Sequence, residues 1–489
     1  MLRKAPSKSE SAVLVWFRRD LRLTDNPALS AAVSTGRPVI PVYVADDTDA
    51  GEWCPGGASR WWLHGSLSAL ASQIEERGNR LILRSGAAET VINQLLSATG
   101  ATSVFWNRRY EPWATKRDER LKTVLKHRGV DARSFCAGLL REPWEVATQK
   151  GEPYKVFTPF WRALRATGTP DQPSPAPQRI PAPEGPVDSE ELNLWGLLPH
   201  SPDWAGGLRH TWAPGEKSAL SRLRTFVDGA VLYYEDKRNL PAAPGTSRLS
   251  PHLHFGEIGP RQIWHAVVSS AAVTTGNPTS RGVETYLSEI GWREFAYHLL
   301  FYFPELPRTP LRKDFSNFRW ALDRPNLSAW QRGATGYPIV DAGMRELWAT
   351  GWMHNRVRMI VASFLVKHLL TDWRAGQRWF WDTLVDADLA SNSASWQWVA
   401  GCGSDAAPYF RVFNPTIQGE KFDPRGIYVR KWVPEISRLP DDLIHAPWTA
   451  RPIDLSNAGI RLGKDYPAPI VDHRVARGRA LAAYTGRNY

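Results

Sequence analysis

Residues 347–398 concentrate side chains that a plain core segment has no use for. Gly351-Trp352-Met353-His354-Asn355-Arg356-Val357-Arg358-Met359 leads into the apolar run 360–366. Asp372-Trp373-Arg374, Phe380-Trp381-Asp382, Asp386-Ala387-Asp388, Asn392, Trp396 and Trp398 follow. Aliphatic residues alone would fill a core. Tryptophans, arginines and carboxylates beside them suit a flat, apolar ligand with a polar edge. A helix starting near Trp352 would carry Trp352, Asn355 and Met359 on one face. Asp386 and Asp388 need cations or N–H groups close by to stay ionised side by side, and Arg358 can supply one. A helix cap plus a salt bridge would satisfy them equally well.

Two more clusters stand out. Gly245-Thr246-Ser247-Arg248-Leu249-Ser250-Pro251 sets three hydroxyls and an arginine before a predicted helix, with Ser250 as its cap and Pro251 in its first turn. Such a turn suits an anion of the phosphate kind; a bare Ser-Pro cap explains it too. The predicted helix 286–298 carries Glu289, Trp292, Arg293 and Ala296 at i, i+3, i+4 and i+7. Glu289 and Arg293 alone could be a surface ion pair worth about 0.3 kcal/mol, but the tryptophan between them argues against a solvated face. Trp320, Trp373 and Trp396 are each compatible with core filling. His252 and His254 flank Leu253 with no further ligand at metal spacing, so no metal site is expected. There is no nucleophile motif.

Positioning these groups takes a large chain. Its 489 residues, 43% hydrophobic, suffice for two or three domains. A net charge of +12 and a pI near 9.6 suit a polyanionic partner, nucleic acid first; by charge alone a basic but otherwise ordinary enzyme fits equally well. Twenty-four tryptophans must lie largely on inner surfaces. Cys54, Cys136 and Cys402 make no disulfide framework and point to a reducing cytosol. Residues 1–11 have no apolar core and do not read as a secretory signal, and the apolar run 359–366 is far too short to span a bilayer. The expectation is a soluble, cytoplasmic protein.

From residue 12 to about 140 short β-branched strands alternate with helices: 13–17, 39–44, 81–83, 103–106 and 130–135 read as strands, and 59–77, 87–97 and 115–126 as helices. Asn26-Pro27 opens an earlier helix. This pattern predicts a doubly wound parallel sheet covered on both faces. The turn after the first strand is arginine-rich rather than glycine-rich, which argues against a nicotinamide-type dinucleotide site. Its arginines could tie the turn to distant chain, or make surface salt bridges. Seven prolines between 170 and 186 mark a stiff connector within a linker spanning 141–210. Residues 211–489 then read as an all-helical domain.

Val15-Trp16-Phe17-Arg18-Arg19-Asp20-Leu21-Arg22, followed by Asp25-Asn26-Pro27-Ala28-Leu29, resembles the opening of the photolyase–cryptochrome family. The resemblance continues through Ser404-Asp405-Ala406-Ala407-Pro408-Tyr409-Phe410-Arg411 and residues 414–423, leaving only the first ten or so residues and the linker. It implies an N-terminal antenna domain and a helical domain that binds FAD. By that resemblance Thr246, Ser247, Arg248, Leu249 and Ser250 hold the pyrophosphate, with Tyr234 beside it. Arg293, Asn355, Arg358, Asp386, Ala387, Asp388 and Asn392 line the flavin, Arg358 pairing with Asp386 along its edge. Glu289 and Asn392 are the implied catalytic residues, Asn392 facing the reactive central-ring nitrogen. Trp292 stacks on the lesion in a pocket shared with Arg293, Asn355, Met359 and Trp398. Arg238, Gln418 and Arg411 meet DNA phosphates, and Trp396, Trp373 and Trp320 carry electrons from the surface.

Within the family, Asn355 stands where enzymes of the (6-4) reaction place a second histidine. Plant cryptochromes carry aspartate at the positions of both Asn355 and Asn392. An amide at Asn392 cannot protonate the flavin, which suits a reduced, anionic cofactor. The resemblance therefore implies light-driven repair of cyclobutane pyrimidine dimers in DNA, by electron transfer from excited reduced FAD to a flipped-out lesion. Its alternatives are a blue-light photoreceptor, and a flavin oxidoreductase or DNA-binding protein without repair activity. A monomer without obligate protein partners is expected. Trp113 and Ala114 replace the Asn-Glu pair that holds folate in the best-known bacterial members. Folate bound in another mode, a deazaflavin, or no antenna all stay open.

Overall fold

A computed structural model describes residues 11–275, 280–321, 323–409 and 411–486. Phe410 and the first ten residues lie outside them. The chain divides into two compact units. The first is Met1–Tyr154, Thr158–Gly229 and Ser247–Pro304; the second is Lys155–Phe157, Ala230–Thr246 and Glu305–Tyr489.

The first unit holds the expected parallel sheet. Strands β1 (Val13–Phe17), β2 (Val39–Ala45), β3 (Ile82–Ser85), β4 (Ser103–Asn107) and β5 (Asp131–Phe135) run in the order β3-β2-β1-β4-β5. β1 is central, with Val13 opposite both Val39 and Ser103. Its five residues are all buried because side chains of alternate sign of the pleat meet helices on both faces. Leu14, Trp16, Ile40, Val42, Val104 and Trp106 share one core with helix α3 (Ala88–Thr99) and helix α4 (Pro112–His127). Helix α1 (Pro27–Val33) is capped by Asn26, whose carbonyl oxygen accepts from the Leu29 amide at 3.1 Å. Helix α2 (Gly57–Glu75) completes the set.

Arg18 and Arg22 of the arginine-rich turn are buried rather than paired at the surface. Arg18 donates two bonds to the Asp118 carboxylate, at 2.9 and 2.8 Å. Arg22 is fully buried and donates to the carbonyls of Gly256 (2.9 Å), Asp25 (2.7 Å) and Ala137 (3.0 Å). Gly256 meets this turn so closely that a Cβ there would lie 2.0 Å from the Arg19 carbonyl oxygen, so only glycine fits. The arginines are internal ties.

The proline-rich stretch also differs from expectation. It is not a bare connector: the Val39 amide donates to the Pro181 carbonyl (2.8 Å), that of Ile180 to Arg77 (3.0 Å), and that of Glu190 to Leu83 (2.8 Å). Ile180 is fully buried. Polyproline geometry leaves backbone groups unpaired along the strand; here Val39 takes up the Pro181 carbonyl, and the Arg77 and Leu83 carbonyls accept from the Ile180 and Glu190 amides.

The remaining helices of this unit include Glu216–Thr225, Ser250–His254, Pro260–Thr275 and Arg281–Tyr302. Those of the second unit that position the site are Arg324–Arg332, Pro338–Thr350, Asn355–Ser363, Trp373–Thr383, Leu389–Ala400, Pro415–Phe422 and His473–Thr485. Asn355–Ser363 packs against Pro338–Thr350 through Gly343, where an added Cβ would lie 2.4 Å from Val357 Cγ1. Among the described residues no helix is long and apolar enough to cross a membrane, and no His/Cys/Asp/Glu group could hold a metal ion.

Candidate functional site

In the second unit the helix expected near Trp352 starts at Asn355 instead. His354 is its cap, accepting the Arg356 amide at 3.2 Å on Nδ1. Trp352 therefore lies before the helix and does not share its face. Asn355 is exposed, Met359 half-buried one turn on. Arg358 Nε donates to the Met353 carbonyl (2.8 Å), and Nη2 reaches both oxygens of Asp386, at 3.1 and 2.8 Å. Only 3% of the Asp386 side chain is exposed, so the pair fixes the loop before the next helix. Asp388 caps that helix, accepting the Ser391 amide at 2.8 Å. The cap and the salt bridge are thus both present, with buried Ala387 between them.

Asn392 follows Asp388 by one turn and is buried. Its Nδ2 donates to the Gln377 carbonyl at 3.1 Å. Among the described residues this is its one side-chain bond, leaving the second amide hydrogen and the carbonyl oxygen for a ligand.

Arg356, to which sequence reasoning gave no role, gathers other pieces of this unit. It donates to Asn239 Oδ1 at 3.2 and 2.7 Å and lies over the Phe422 ring, 4.5 Å from its centroid. That brings the segment of Tyr234 and Arg238 and the helix of Gln418 onto the start of the Asn355 helix. Tyr234 is buried, and the Arg238 guanidinium lies 5.4 Å from its ring centroid. Gln418 is half-buried; Arg411 is exposed.

The three tryptophans follow from the topology. Gly376 is one turn along from Trp373, and the Trp396 ring sits on it: a Cβ there would lie 2.1 Å from Trp396 Cη2. Trp373 and Trp396 are 1% and 2% exposed. Ala321 bridges to Thr371, its amide donating to the Leu370 carbonyl at 2.7 Å, so Trp320 lies beside the entry to the Trp373 helix. Trp320 is half-buried. Trp330, unassigned in sequence, meets Trp396 edge-on at 6.3 Å and donates to the Val361 carbonyl at 3.0 Å. Trp398, two residues past Trp396, is half-buried on a different side of the helix.

The first unit carries the other group. Ser250 does not cap its helix: Leu249 is the cap residue and Ser250 the first helical one, a one-residue displacement with the proline still in the first turn. The helix is a single turn, so individual N–H groups and hydroxyls rather than a macrodipole dominate there. Arg248 is held at φ +52° with its guanidinium 4.8 Å from the Trp212 centroid. The Tyr286 hydroxyl donates to Ser247 Oγ at 3.0 Å, joining this loop to the helix of Glu289. Burial pushes the Tyr286 phenol well up, so it stays a donor. Ser247 and Arg248 are half-buried, Ser250 exposed and Leu249 buried; Thr246, the last residue of a segment of the second unit, is half-buried as well.

On that helix Glu289 is half-buried and Trp292 is 37% exposed. Arg293 donates to the Gly138 carbonyl at 2.7 Å and covers Tyr297 at 4.8 Å, a fold-holding position. Its neighbour Glu294 is buried, and desolvation raises its carboxyl to about 7 despite Arg293 and the Leu140 amide.

A cavity of about 360 Å³ opens at the carboxyl ends of β1 and β2, the usual ligand position on an open parallel sheet. Trp53, Trp113, Trp195, Tyr43, Arg60 and Arg109 are among its walls. Burial alone would raise Glu111, but Arg109, 2.5 Å away, pulls it down to about 2. Ala114 is fully buried beside Trp113.

Residues 286–486 match the model for the FAD binding domain of DNA photolyase, and residues 13–180 the DNA photolyase model. A deoxyribodipyrimidine photo-lyase of Agrobacterium fabrum is 54% identical over 98% of both chains. Cryptochrome-1 of Arabidopsis thaliana is 43% identical over 95% of this chain and 69% of its own. The crystal structure of a class III photolyase from Agrobacterium tumefaciens superposes with a TM-score of 0.95, at 52% identity and 99% coverage of each chain. The chain belongs to the DNA photolyase–cryptochrome family.

Proposed function

We infer that the protein is a deoxyribodipyrimidine photo-lyase, splitting cyclobutane pyrimidine dimers in DNA with light. The observation that carries repair over sensing is the near full-length match to the Agrobacterium photo-lyase at 54% identity, supported by the buried amide of Asn392. FAD is the cofactor, and the donor chemistry fits it. Thr246, Ser247, Arg248 and Ser250 suit a doubly charged pyrophosphate, and Asn392 keeps one donor and one acceptor for a ring edge.

Bound FAD, reduced and excited by light, supplies the electron that opens the cyclobutane ring. The residues do the rest. Arg238 and Gln418, with Arg411, hold phosphates of DNA, an attraction that weakens with salt. Trp292 and Trp398 stack on the flipped-out bases, Met359 fills the pocket, and Glu289 hydrogen-bonds the lesion as charge develops on it. Asn392 and Asn355 neither give nor take protons near neutral pH, so neither would protonate a bound, reduced cofactor. Trp320, Trp373 and Trp396 form an electron relay. The enzyme acts as a monomer in the cytoplasm without a protein partner.

Illumination of reduced protein with dimer-containing DNA tests this. Dimers should disappear in light and persist in darkness; intact dimers under blue light would overturn repair and leave the photoreceptor, or a flavoprotein or DNA-binding protein without repair activity. Glu289→Ala should cut the repair rate about tenfold or more with flavin retained, since one hydrogen bond to a developing charge is lost. Unchanged repair would remove Glu289 from the site.

The β1–β2 cavity is our candidate for an antenna pigment, folate or deazaflavin. Indole and phenol walls suit a flat heteroaromatic ring, and the arginines suit its carboxylates or phosphates. Trp113→Ala should remove an absorption band additional to flavin while leaving flavin bound. A purified protein showing flavin absorbance alone would end the antenna assignment, and an unaffected band would move it elsewhere.

A further inference from the structure

Lys367 ends the apolar run 360–366 in the second unit, on the π-helical turn Phe364–His368, and is 2% exposed. Turns of this kind recur at functional sites, and lysine is almost never so buried without a partner. Among the described residues its ammonium has one hydrogen-bond acceptor, the Arg411 carbonyl, 2.9 Å from Nζ. It also lies 5.5 Å from the Tyr409 ring centroid. No carboxylate answers the charge. The groups around it are the Arg411 guanidinium, the buried Tyr409 phenol, Arg479 on the His368 carbonyl, and the imidazoles of His368 and His473, both held below their ordinary range by burial. Burial, reinforced by Arg411, lowers the ammonium to about 8. The unfolded chain therefore holds this proton more readily, and at neutral pH the charge opposes folding.

A charge kept at a cost to the fold calls for a use, and what this one grips is the turn that ends at Arg411. The Arg411 amide donates to the Pro408 carbonyl at 2.9 Å. The other end of the segment is tied down separately: the Gly403 amide donates to the Gln397 carbonyl at 3.0 Å, and Asp405 accepts from the Phe157 amide at 3.1 Å. The Arg411 side chain is exposed and has no hydrogen-bond partner among the described residues. Its backbone is thus held from inside while its guanidinium is left for an outside anion.

We propose that Lys367 is a positioning residue for DNA binding: by gripping the Arg411 carbonyl it fixes where the Arg411 guanidinium meets a phosphate of the substrate. The proposal rests on the reading of Arg411 as a phosphate contact. Lys367 is too buried to meet DNA itself. A charged donor bonds a carbonyl more strongly than a neutral one, so the turn is ordered before DNA arrives and binding need not supply that order. The cost to stability and the gain in binding come from the same buried charge.

Repair kinetics of the holoenzyme on dimer-containing DNA, run as a double-mutant cycle, test this. Lys367→Met should raise KM about tenfold, with kcat holding within about twofold and flavin retained. Arg411→Gln should raise KM similarly, and adding Lys367→Met to it should cost nothing further. Lys367→Gln, which can still donate to the carbonyl, should recover most of the loss. Lys367→Met should also melt above the wild type at pH 7, the difference shrinking as pH rises from about 8 towards the ordinary lysine value of 10.5. A merely structural lysine would instead lose melting temperature, flavin and DNA affinity together. That outcome, or KM losses that add in the double variant, would overturn the positioning role. If Arg411→Gln weakens binding and neither Lys367 variant does, the inference falls and the phosphate contact stands. If Arg411→Gln leaves KM unchanged, the contact itself falls, and the role of Lys367 with it.

Discussion

Trp373→Phe is expected to slow photoreduction of oxidised flavin by about a hundredfold, equivalent to about 2.7 kcal/mol of added barrier. Repair by chemically reduced enzyme should be spared. Trp373 is 1% exposed, on the helix whose Gly376 receives the Trp396 ring, and beside the Ala321–Thr371 bridge that brings up Trp320. Phenylalanine keeps most of the packing, at a cost of about 1–2 kcal/mol in stability, but it is far harder to oxidise than indole. The Arg374 guanidinium, 4.7 Å from the indole centroid, would by itself discourage a positive charge there. Asp372 binds that guanidinium at 3.1 and 2.9 Å and neutralises much of its field. Transient absorption after a flash measures the effect. Equal rates in wild type and variant would exclude Trp373 from the path.

The α/β region was legible because its signals are local. Strand and helix periods, the Asn26-Pro27 start and short β-branched runs all act within a few residues, and element ends differ from expectation by at most three positions. The burial of Arg18 and Arg22 was not legible, since their acceptors Asp118, Ala137 and Gly256 lie about a hundred or more residues away. The same holds for the proline-rich segment, whose partners are the flanks of β2 and β3. Trp352 was misplaced because side-chain spacing cannot reveal that Gly351 ends one helix in the left-handed region and His354 caps the next. At the site, resemblance supplied the candidate residues, and geometry supplied what holds them. Arg356, Tyr286 and Trp330 were overlooked for one reason: each acts by joining segments distant in sequence. An arginine following Asn355 carries no pattern that announces it.

Asp386→Ala should destabilise the protein by about 3 kcal/mol, near the lower end of the range for breaking a buried ion pair. The lower end applies because the Arg358 side chain is 24% exposed and its Nε stays bonded to the Met353 carbonyl, so water can partly solvate the orphaned charge. Asp386 itself is far less accessible, at 3% for its side chain. Arg358→Ala, which strands that carboxylate instead, should therefore cost more than Asp386→Ala. Removing both should cost less than the sum of the two, since neither charge is then left alone. The loop between Val385 and Asp388 would lose its main anchor, and with it the placement of the Asp388 cap and of Asn392 one turn beyond. Flavin should consequently dissociate from Asp386→Ala during purification, whereas Asp386→Asn, which can still accept from Arg358, should retain more of it. Denaturant unfolding of the apoprotein separates the two consequences, because stability is then read without cofactor. If Asp386→Ala unfolds at the wild-type midpoint and keeps full flavin absorbance, the Arg358–Asp386 pair is dispensable to both loop and cofactor.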